Sequence, residues 1–314
     1  MDVHYGYENL NLKNSVVTVG SFDGLHRGHR YVIDMLKRRA QEIMGESVVV
    51  TFNPHPKKVV GTGEESLQLL TSDEEKIFLF RELNIDHLMF INFDRALSRM
   101  NANEFIEKIL ATKIGARHLL IGFNHHLGRM KCSYEEIKNI ADSLGISSEI
   151  LDQIKSGDTV ISSSEIRKAL LEGRLEEANN LLGYNYFMYG IIIGGRKIGR
   201  KLGYPTANIK PDHPDKLIPK NGVYAVEIIL NEKKYPGVMS IGFNPTVNKE
   251  KGTRSIEVNI LNFSGEIYGQ KIRVIFKYRL RDEMNFGSLD ELARQIEHDR
   301  NEALRLLKNG FDFS

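Results

Sequence analysis

The chain has 314 residues, 41% of them hydrophobic and 27% charged, enough apolar material for more than one core, so two domains are expected. Forty-three basic against 41 acidic residues leave a net charge of +2. No overall field favours nucleic acid or an anionic membrane, and any basic site must be local.

The single cysteine, Cys132, excludes an internal disulfide, and the chain needs no oxidising compartment. The first residues, MDVHYGYENLNLKNS, contain no apolar stretch of the kind a secretory signal carries. No run of about eighteen apolar residues suggests a membrane span. A cytoplasmic protein is expected. A small oligomer is compatible with the sequence, although no apolar stripe demands one.

Ser15 to Gly20 reads as a buried strand. The turn Ser21-Phe22-Asp23-Gly24-Leu25-His26-Arg27-Gly28-His29 follows, and then a helix with Val32, Ile33, Leu36, Ala40 and Ile43 near one face. Strand, glycine-bearing turn and helix is the unit that sets a helix N-terminus beside a phosphate. Two histidines flanking a glycine there could hydrogen-bond phosphate oxygens and stabilise charge developing at phosphorus. A turn with two ordinary polar histidines would show the same letters. The next strand, Ser47 to Phe52, ends in Asn53-Pro54-His55-Pro56, which holds His55 near the carboxyl edge of a sheet.

Further signals alternate. Helices are expected at Asp73 to Leu83, Asn101 to Lys113 and Tyr134 to Leu144. Strands are expected at His87 to Ile91, His118 to Ile121 and, more weakly, Glu149 to Ile154. The alternation implies a parallel sheet covered on both faces. Ser162 and Glu165 have capping-box spacing at the start of a helix that Gly173 ends. Arg167, placed in its first turn, would oppose the helix dipole unless an anion bound there.

A helix from Leu175 to Leu182 stops at Gly183, where the domain boundary is placed. Strands then dominate: Tyr186 to Ile193, Val223 to Leu230, Lys234 to Ile241, Ser255 to Leu261 and Lys271 to Tyr278. Five or six short antiparallel strands suggest a small barrel. A last helix starts at Ser288, with Glu291 in capping-box position and Leu289, Leu292, Ile296, Ala303 and Leu307 as its apolar face. Asn309-Gly310 is its expected stop.

Between the first two of these strands lies GIIIGGRKIGRKLGYPTANI, Gly190 to Ile209. Its glycines could let a backbone approach phosphate oxygens. Thr206 and Asn208, two residues apart on an extended segment, would point the same way and could ligate a magnesium ion bridging phosphates. A hairpin loop with solvated lysines and arginines fits the same letters. In SIEVNIL, Ile256, Val258 and Ile260 share one face. Glu257 and Asn259 share the other, where a carboxylate is most often merely solvated.

In this order the motifs resemble those of the prokaryotic bifunctional riboflavin kinase/FAD synthetase family, from about Ser15 to Asp299. The resemblance implies an α/β plus β protein. A Rossmann-like nucleotidyltransferase domain would span residues 1–183. A six-stranded antiparallel β-barrel with a terminal helix would span 184–314.

In the barrel half, GRKIGRKLGYPTANI resembles the family's phosphate loop and PTAN motif. This implies ATP and Mg2+ at Thr206 and Asn208, with Gly199 and Gly203 in the loop over the nucleotide. Glu257 matches the catalytic glutamate that takes the proton from the ribityl 5′-hydroxyl of riboflavin. Arg281, Glu283 and Phe286 match the segment that closes on the flavin.

In the first half, GSFDGLHRGH, NPHP and ISSSEIR imply that His26 and His29 act catalytically on ATP phosphates. Gly20, Phe22, Asp23, Gly28 and His55 would line the ATP site. Ser163, Ser164 and Arg167 would bind the triphosphate from the other side. FMN would attack the α-phosphate and pyrophosphate would leave. The implied partners are riboflavin, FMN and ATP, with neither membrane nor nucleic acid.

One segment departs from the family pattern. Asn124, expected to contact the flavin, stands where the family has an acid. His125 and Leu127 replace two aromatics. Lost aromatic faces are worth about 0.5–1.5 kcal/mol beyond area burial, so a reduced or conditional adenylyltransferase is expected. The alternatives are a riboflavin kinase carrying a degenerate first module, or a non-catalytic flavin-sensing regulator. The first half alone would also fit a nucleotidyltransferase for another phosphate ester.

Overall fold

The computed structural model describes residues 1–308 except 9, 11, 13, 61–66, 123–131, 157–158, 195–203 and 244–253. The chain divides into two compact units, Met1–Ser163 and Ser164–Ser314.

The first unit is built on six strands: β1 (Asp2–Tyr5), β2 (Ser15–Val19), β3 (Ser47–Asn53), β4 (His87–Asn92), β5 (Ala116–Ile121) and β6 (Ser147–Ile150). Their order is β1-β4-β3-β2-β5-β6, and every pair is parallel. Central strands are apolar on both faces, as a sheet covered on both sides requires. Val16, Val17, Val48, Val49, Val50, Leu88, Met89, Leu119 and Leu120 are all buried. The chain runs outward from β2 through β3 to β4, then returns to place β5 on the other flank of β2. The carboxyl ends of β2 and β5 therefore form a switch point, where ligands bind in open α/β sheets.

Helix α1 (Arg27–Glu42) starts at that edge, and Ile33, Leu36 and Ala40 anchor it. Helices α2 (Pro56–Val60), α3 (Asp73–Glu82), α4 (Arg95–Arg99) and α5 (Ala102–Glu104) follow. The helix expected from Asn101 begins there, with a full capping box from Asn101 and Glu104. It then widens into a π-helix over Phe105–Ala111 that buries Phe105, Ile106, Ile109 and Leu110. Helix α6 is Tyr134–Ser143.

One expectation needs correction. Strand β6 begins at Ser147 rather than Glu149, because Ser147 and Ser148 pair with His118 and Leu119; the partner strand outweighs weak local propensity. Strand β1 was not anticipated from its four residues.

Helices α7 (Ser163–Glu172) and α8 (Leu175–Leu182) bond to the barrel. The Asn179 side chain donates to the Phe276 carbonyl at 3.2 Å and accepts from Tyr186 N at 2.7 Å. The division by contacts thus precedes these helices, although the sequence pattern changes after them, at the left-handed Gly183. Arg167 is the fifth residue of α7, just past the first turn, so its conflict with the dipole is weaker than expected.

The second unit is a closed barrel of β9 (Phe187–Ile193), β10 (Ala207–Pro211), β11 (Gly222–Leu230), β12 (Lys233–Phe243), β13 (Arg254–Ile260) and β14 (Lys271–Arg281), in the order β10-β13-β12-β11-β14-β9. A short hairpin, β7 (Lys155–Ser156) with β8 (Thr159–Val160), precedes α7. The sixth barrel strand is the segment carrying Asn208. Asn231 and Glu232 both hold positive φ, 49° and 64°, in the two-residue turn between β11 and β12.

The terminal helix α9 (Leu289–Leu307) packs Ala303 and Leu307 on Ala225. Its capping box is only half formed: Ser288 Oγ accepts from Glu291 N, but Glu291 accepts from Gly287 N. Leu289, expected on the apolar face, is exposed.

Gly190 lies where β9 crosses β10. A Cβ there would sit 2.5 Å from Ile209 Cγ2 and 3.0 Å from the Lys210 carbonyl oxygen. Gly190→Ala should therefore cost the barrel about 1–3 kcal/mol, read as a lower urea midpoint at unchanged m-value.

Candidate active sites

The turn after β2 is held in an unusual backbone shape. Phe22, Gly24 and Leu25 have φ of 45°, 80° and 35°. Two of these are not glycine, and that conformation persists only where neighbours enforce it. Asp23 enforces it. Its carboxylate is buried and accepts from Leu70 N at 3.2 Å, Thr71 N at 3.0 Å and Thr71 Oγ1 at 3.2 Å. Thr71 Oγ1 in turn accepts from Gly24 N at 3.0 Å. Ser163 Oγ donates to the Asp23 carbonyl oxygen at 2.8 Å.

On this turn His26 caps α1, its Nδ1 accepting from His29 N at 3.3 Å. The two imidazoles stack, with centroids 3.6 Å apart and planes 15° from parallel. Phe22 meets His29 edge-on at 5.1 Å. His29 Nδ1 is buried and has no hydrogen-bond partner among the described residues. Burial pushes the His26 imidazole down to about 4, against the pull of Asp23 and a backbone hydrogen bond. Burial, then His26 and Lys76, hold His29 well below its ordinary value. Both rings are neutral at pH 7.

Gly20 directly follows β2, and its N–H donates to the Val50 carbonyl. Gly28 lies between the histidines; a Cβ on it would stand 3.2 Å from the His26 ring. His55 is buried just past β3, after a cis Asn53–Pro54 bond, and accepts from Lys57 N at 3.2 Å. Ser164 and Arg167 continue α7 in the second unit. Asn124 lies outside the described residues.

In the barrel, Asn208 on β10 is the register partner of Glu257 on β13. Thr206 Oγ1 donates to Glu257 Oε2 at 3.1 Å. Ser255 Oγ lies 3.1 Å from Glu257 Oε1 and 3.3 Å from Asn208 Oδ1. Thr206, Glu257, Ser255 and Asn208 thus form one oxygen-rich cluster. Asn259, expected on a solvated face, is buried: it donates to the Pro205 carbonyl at 2.7 Å and accepts from Arg300 at 3.2 Å. Gly199 and Gly203 lie outside the described residues.

A cavity of about 310 Å3 opens beside this cluster, lined by Thr206, Glu257, Arg281, Glu283, Phe286 and other residues of the barrel and α9. Arg281 makes a bidentate pair with buried Asp299, at 3.0 and 2.7 Å, and its guanidinium stands 5.9 Å over the Phe286 ring. Glu283 accepts from Asn221 at 3.0 Å and occupies the space a side chain at position 242 would need: a Cβ on Gly242 would fall 1.9 Å from Glu283 Oε1. Ser255, Asp299 and Arg300 are not singled out in the sequence. Ser255 could have been, since it shares the strand face of Glu257 two residues on.

A switch point at the end of a parallel sheet in one unit, and a barrel with a carboxylate beside hydroxyl and amide oxygens in the other, are the arrangement of a two-unit transferase acting on phosphate groups. Residues 8–165 match the FAD synthetase family model, and residues 182–307 match the riboflavin kinase model. Similar curated proteins are bifunctional riboflavin kinase/FMN adenylyltransferases. That of Bacillus subtilis is 37% identical over 94% of this chain and 93% of its own length. That of Escherichia coli is 32% identical over 90% of each. A solved Streptococcus pneumoniae structure, described as a macrolide-efflux protein, superposes with a TM-score of 0.87 at 27% identity over 99% of each chain. No described helix of the present chain is long and apolar enough to cross a membrane. The chain belongs to the bifunctional riboflavin kinase/FMN adenylyltransferase family.

The neutral His26 has a consequence for stability. In the unfolded chain the imidazole takes a proton below about pH 6.5; in the folded chain it does so only near 4. The unfolded state binds more protons in between, so stability is lost as pH falls through that window. The His26 contribution should drop by about 2 kcal/mol between pH 7 and pH 5. Urea unfolding at the two pH values measures it, and His26→Gln should flatten the dependence.

Proposed function

We propose that the chain carries out both reactions of its family. The barrel unit transfers the γ-phosphate of ATP to riboflavin, giving FMN. The parallel-sheet unit joins FMN to the adenylyl group of ATP, giving FAD and pyrophosphate. The Thr206–Glu257–Ser255–Asn208 cluster at the mouth of the cavity carries this reading most directly.

Phosphoryl transfer needs positioning, charge neutralisation and one base. Glu257 takes the proton of the ribityl 5′-hydroxyl as that oxygen attacks the γ-phosphorus. Thr206 and Ser255 hold one carboxylate oxygen each and so fix its direction. The oxygens of Thr206 and Asn208 are donors of the hard kind that Mg2+ takes, and phosphates and water complete its shell. Bound there, the ion neutralises phosphate charge. Arg281, locked by Asp299, and Phe286 receive the flavin, and Glu283 keeps their segment against the barrel.

In the first unit His26 and His29 donate hydrogen bonds to the triphosphate as neutral rings. Phe22 and Asp23 serve by shaping the turn, and Gly20, Gly28 and His55 border it. The resemblance assigns Ser163, Ser164 and Arg167 to triphosphate binding. The replaced aromatics at His125 and Leu127 make adenylylation the weaker of the two activities. These reactions are assigned to the cytoplasm, where ATP and riboflavin meet a chain that needs no disulfide.

Purified protein given ATP, Mg2+ and either riboflavin or FMN should yield FAD from both, more slowly in the second step. FMN from riboflavin with no FAD from either would leave a riboflavin kinase with an inactive first unit. Glu257→Gln should lower riboflavin phosphorylation about 10²- to 10⁴-fold and leave FAD formation from supplied FMN unchanged; equal loss of both activities would remove Glu257 from its role as base.

A further inference from the structure

Lys76 is the fourth residue of α3, and its side chain is only 3% exposed. Taking an ammonium out of water is costly unless it is paired. Among the described residues its Nζ makes neither a hydrogen bond nor an ion pair. Burial pushes its pKa below the ordinary value, while Asp23 and Asp73 favour the charged form. Both acids have other work. Asp23 accepts from Leu70 and Thr71, and Asp73 accepts from the Asn53 side chain.

The face of α3 that carries Lys76 looks onto the histidine turn. Phe80, one turn further along, packs edge-on against Phe22 at 5.7 Å, and Phe22 packs against His29 at 5.1 Å. The Lys76 charge is felt at His29. Beside two stacked rings with an unpartnered buried nitrogen there is thus the amine of a buried lysine, whose charge only Asp23 and Asp73 are seen to favour and neither by a direct bond.

The chemistry proposed for this unit creates a need for it. A phosphate oxygen of FMN attacks the α-phosphorus of ATP and forms the new P–O bond. The bond from that phosphorus to the bridging oxygen breaks, and its electron pair leaves with pyrophosphate, whose charge rises. Neutral imidazoles donate hydrogen bonds but bring no charge, so of the groups the resemblance assigns to the triphosphate only Arg167 is a cation. A fixed cation contributes most where charge develops in a site shielded from water.

We propose that Lys76 binds the pyrophosphate portion of ATP and stabilises its charge as it leaves; this rests on the adenylyltransferase reading of the first unit.

The test uses the full chain as wild type, Lys76→Gln and Lys76→Arg. FAD formation, its reversal by pyrophosphate, and riboflavin phosphorylation are measured on each. Lys76→Gln should lower kcat/KM for ATP in FAD formation about 10²- to 10³-fold and raise the KM for pyrophosphate in reverse. Lys76→Arg should recover to within about tenfold of wild type, because it restores charge. The KM for FMN and the phosphorylation of riboflavin should not move. FAD synthesis within about threefold of wild type in Lys76→Gln would overturn the proposal and leave the unit's activity standing. Equal losses in both variants with a raised KM for FMN would make Lys76 a packing residue and also overturn it. Wild-type protein that forms FMN but no FAD would remove the adenylyltransferase reading, and the proposal with it.

Discussion

The buried carboxylate of Asp23 is the constraint on which the first site depends. Three donors from Leu70 and Thr71 converge on it. At 3.0–3.2 Å these hydrogen bonds are of ordinary length, and together they satisfy an acid that is costly to bury without partners. They offset the cost of holding Phe22 and Leu25 in the left-handed region, and they join the end of β2 to the approach of α3. The Asp23 carbonyl takes the Ser163 hydroxyl as well. One residue thus ties together three segments that are distant in sequence, and the stacked imidazoles stand on the backbone it fixes.

The barrel solves the same problem by register. Because Asn208 sits opposite Glu257 on adjacent strands, the amide and the carboxylate meet without a specialised turn. Period-two alternation then brings Ser255 to the same face. Hydrogen bonds between neighbouring strands surround the cluster, and the Arg281–Asp299 pair together with the Arg300–Asn259 bond brings α9 to the cavity. Buried bidentate pairs of this kind contribute more to geometry than to net stability.

How much of this is legible in the sequence differs by element. The barrel strands Val223 to Leu230 and Lys271 to Tyr278 declare themselves by alternation and bounding turns. Strand β10 does not: five residues that include Lys210 and Pro211 look like loop, and only pairing with β9 and β13 makes them a strand. The histidines are legible as a motif, but their stacking and neutrality follow from burial, which spacing does not encode. Asn259 reads as a polar-face residue and is buried, bonded to the Pro205 carbonyl and to Arg300, 41 residues later. Lys76 reads as a solvent-facing letter in a charged helix. Nothing near it in sequence announces that it is buried, one turn before a Phe80 that packs on Phe22. Gly199, Gly203 and Asn124 remain expectations outside the described residues.

The strand order of the first unit also sets a schedule for synthesis. Strand β2 lies at the centre of its sheet, yet one of its two neighbours, β5, begins only at Ala116. At about 5–20 residues per second, roughly one hundred residues of translation separate the two, some 5–20 s. Through that interval Val16 and Val17 belong to a strand open along one side, with its amides and carbonyls unpaired. An open valine-rich edge is a template for pairing with another chain. The nascent protein is therefore most exposed to misassembly while its middle is still being made, and the closed barrel that follows presents no such edge.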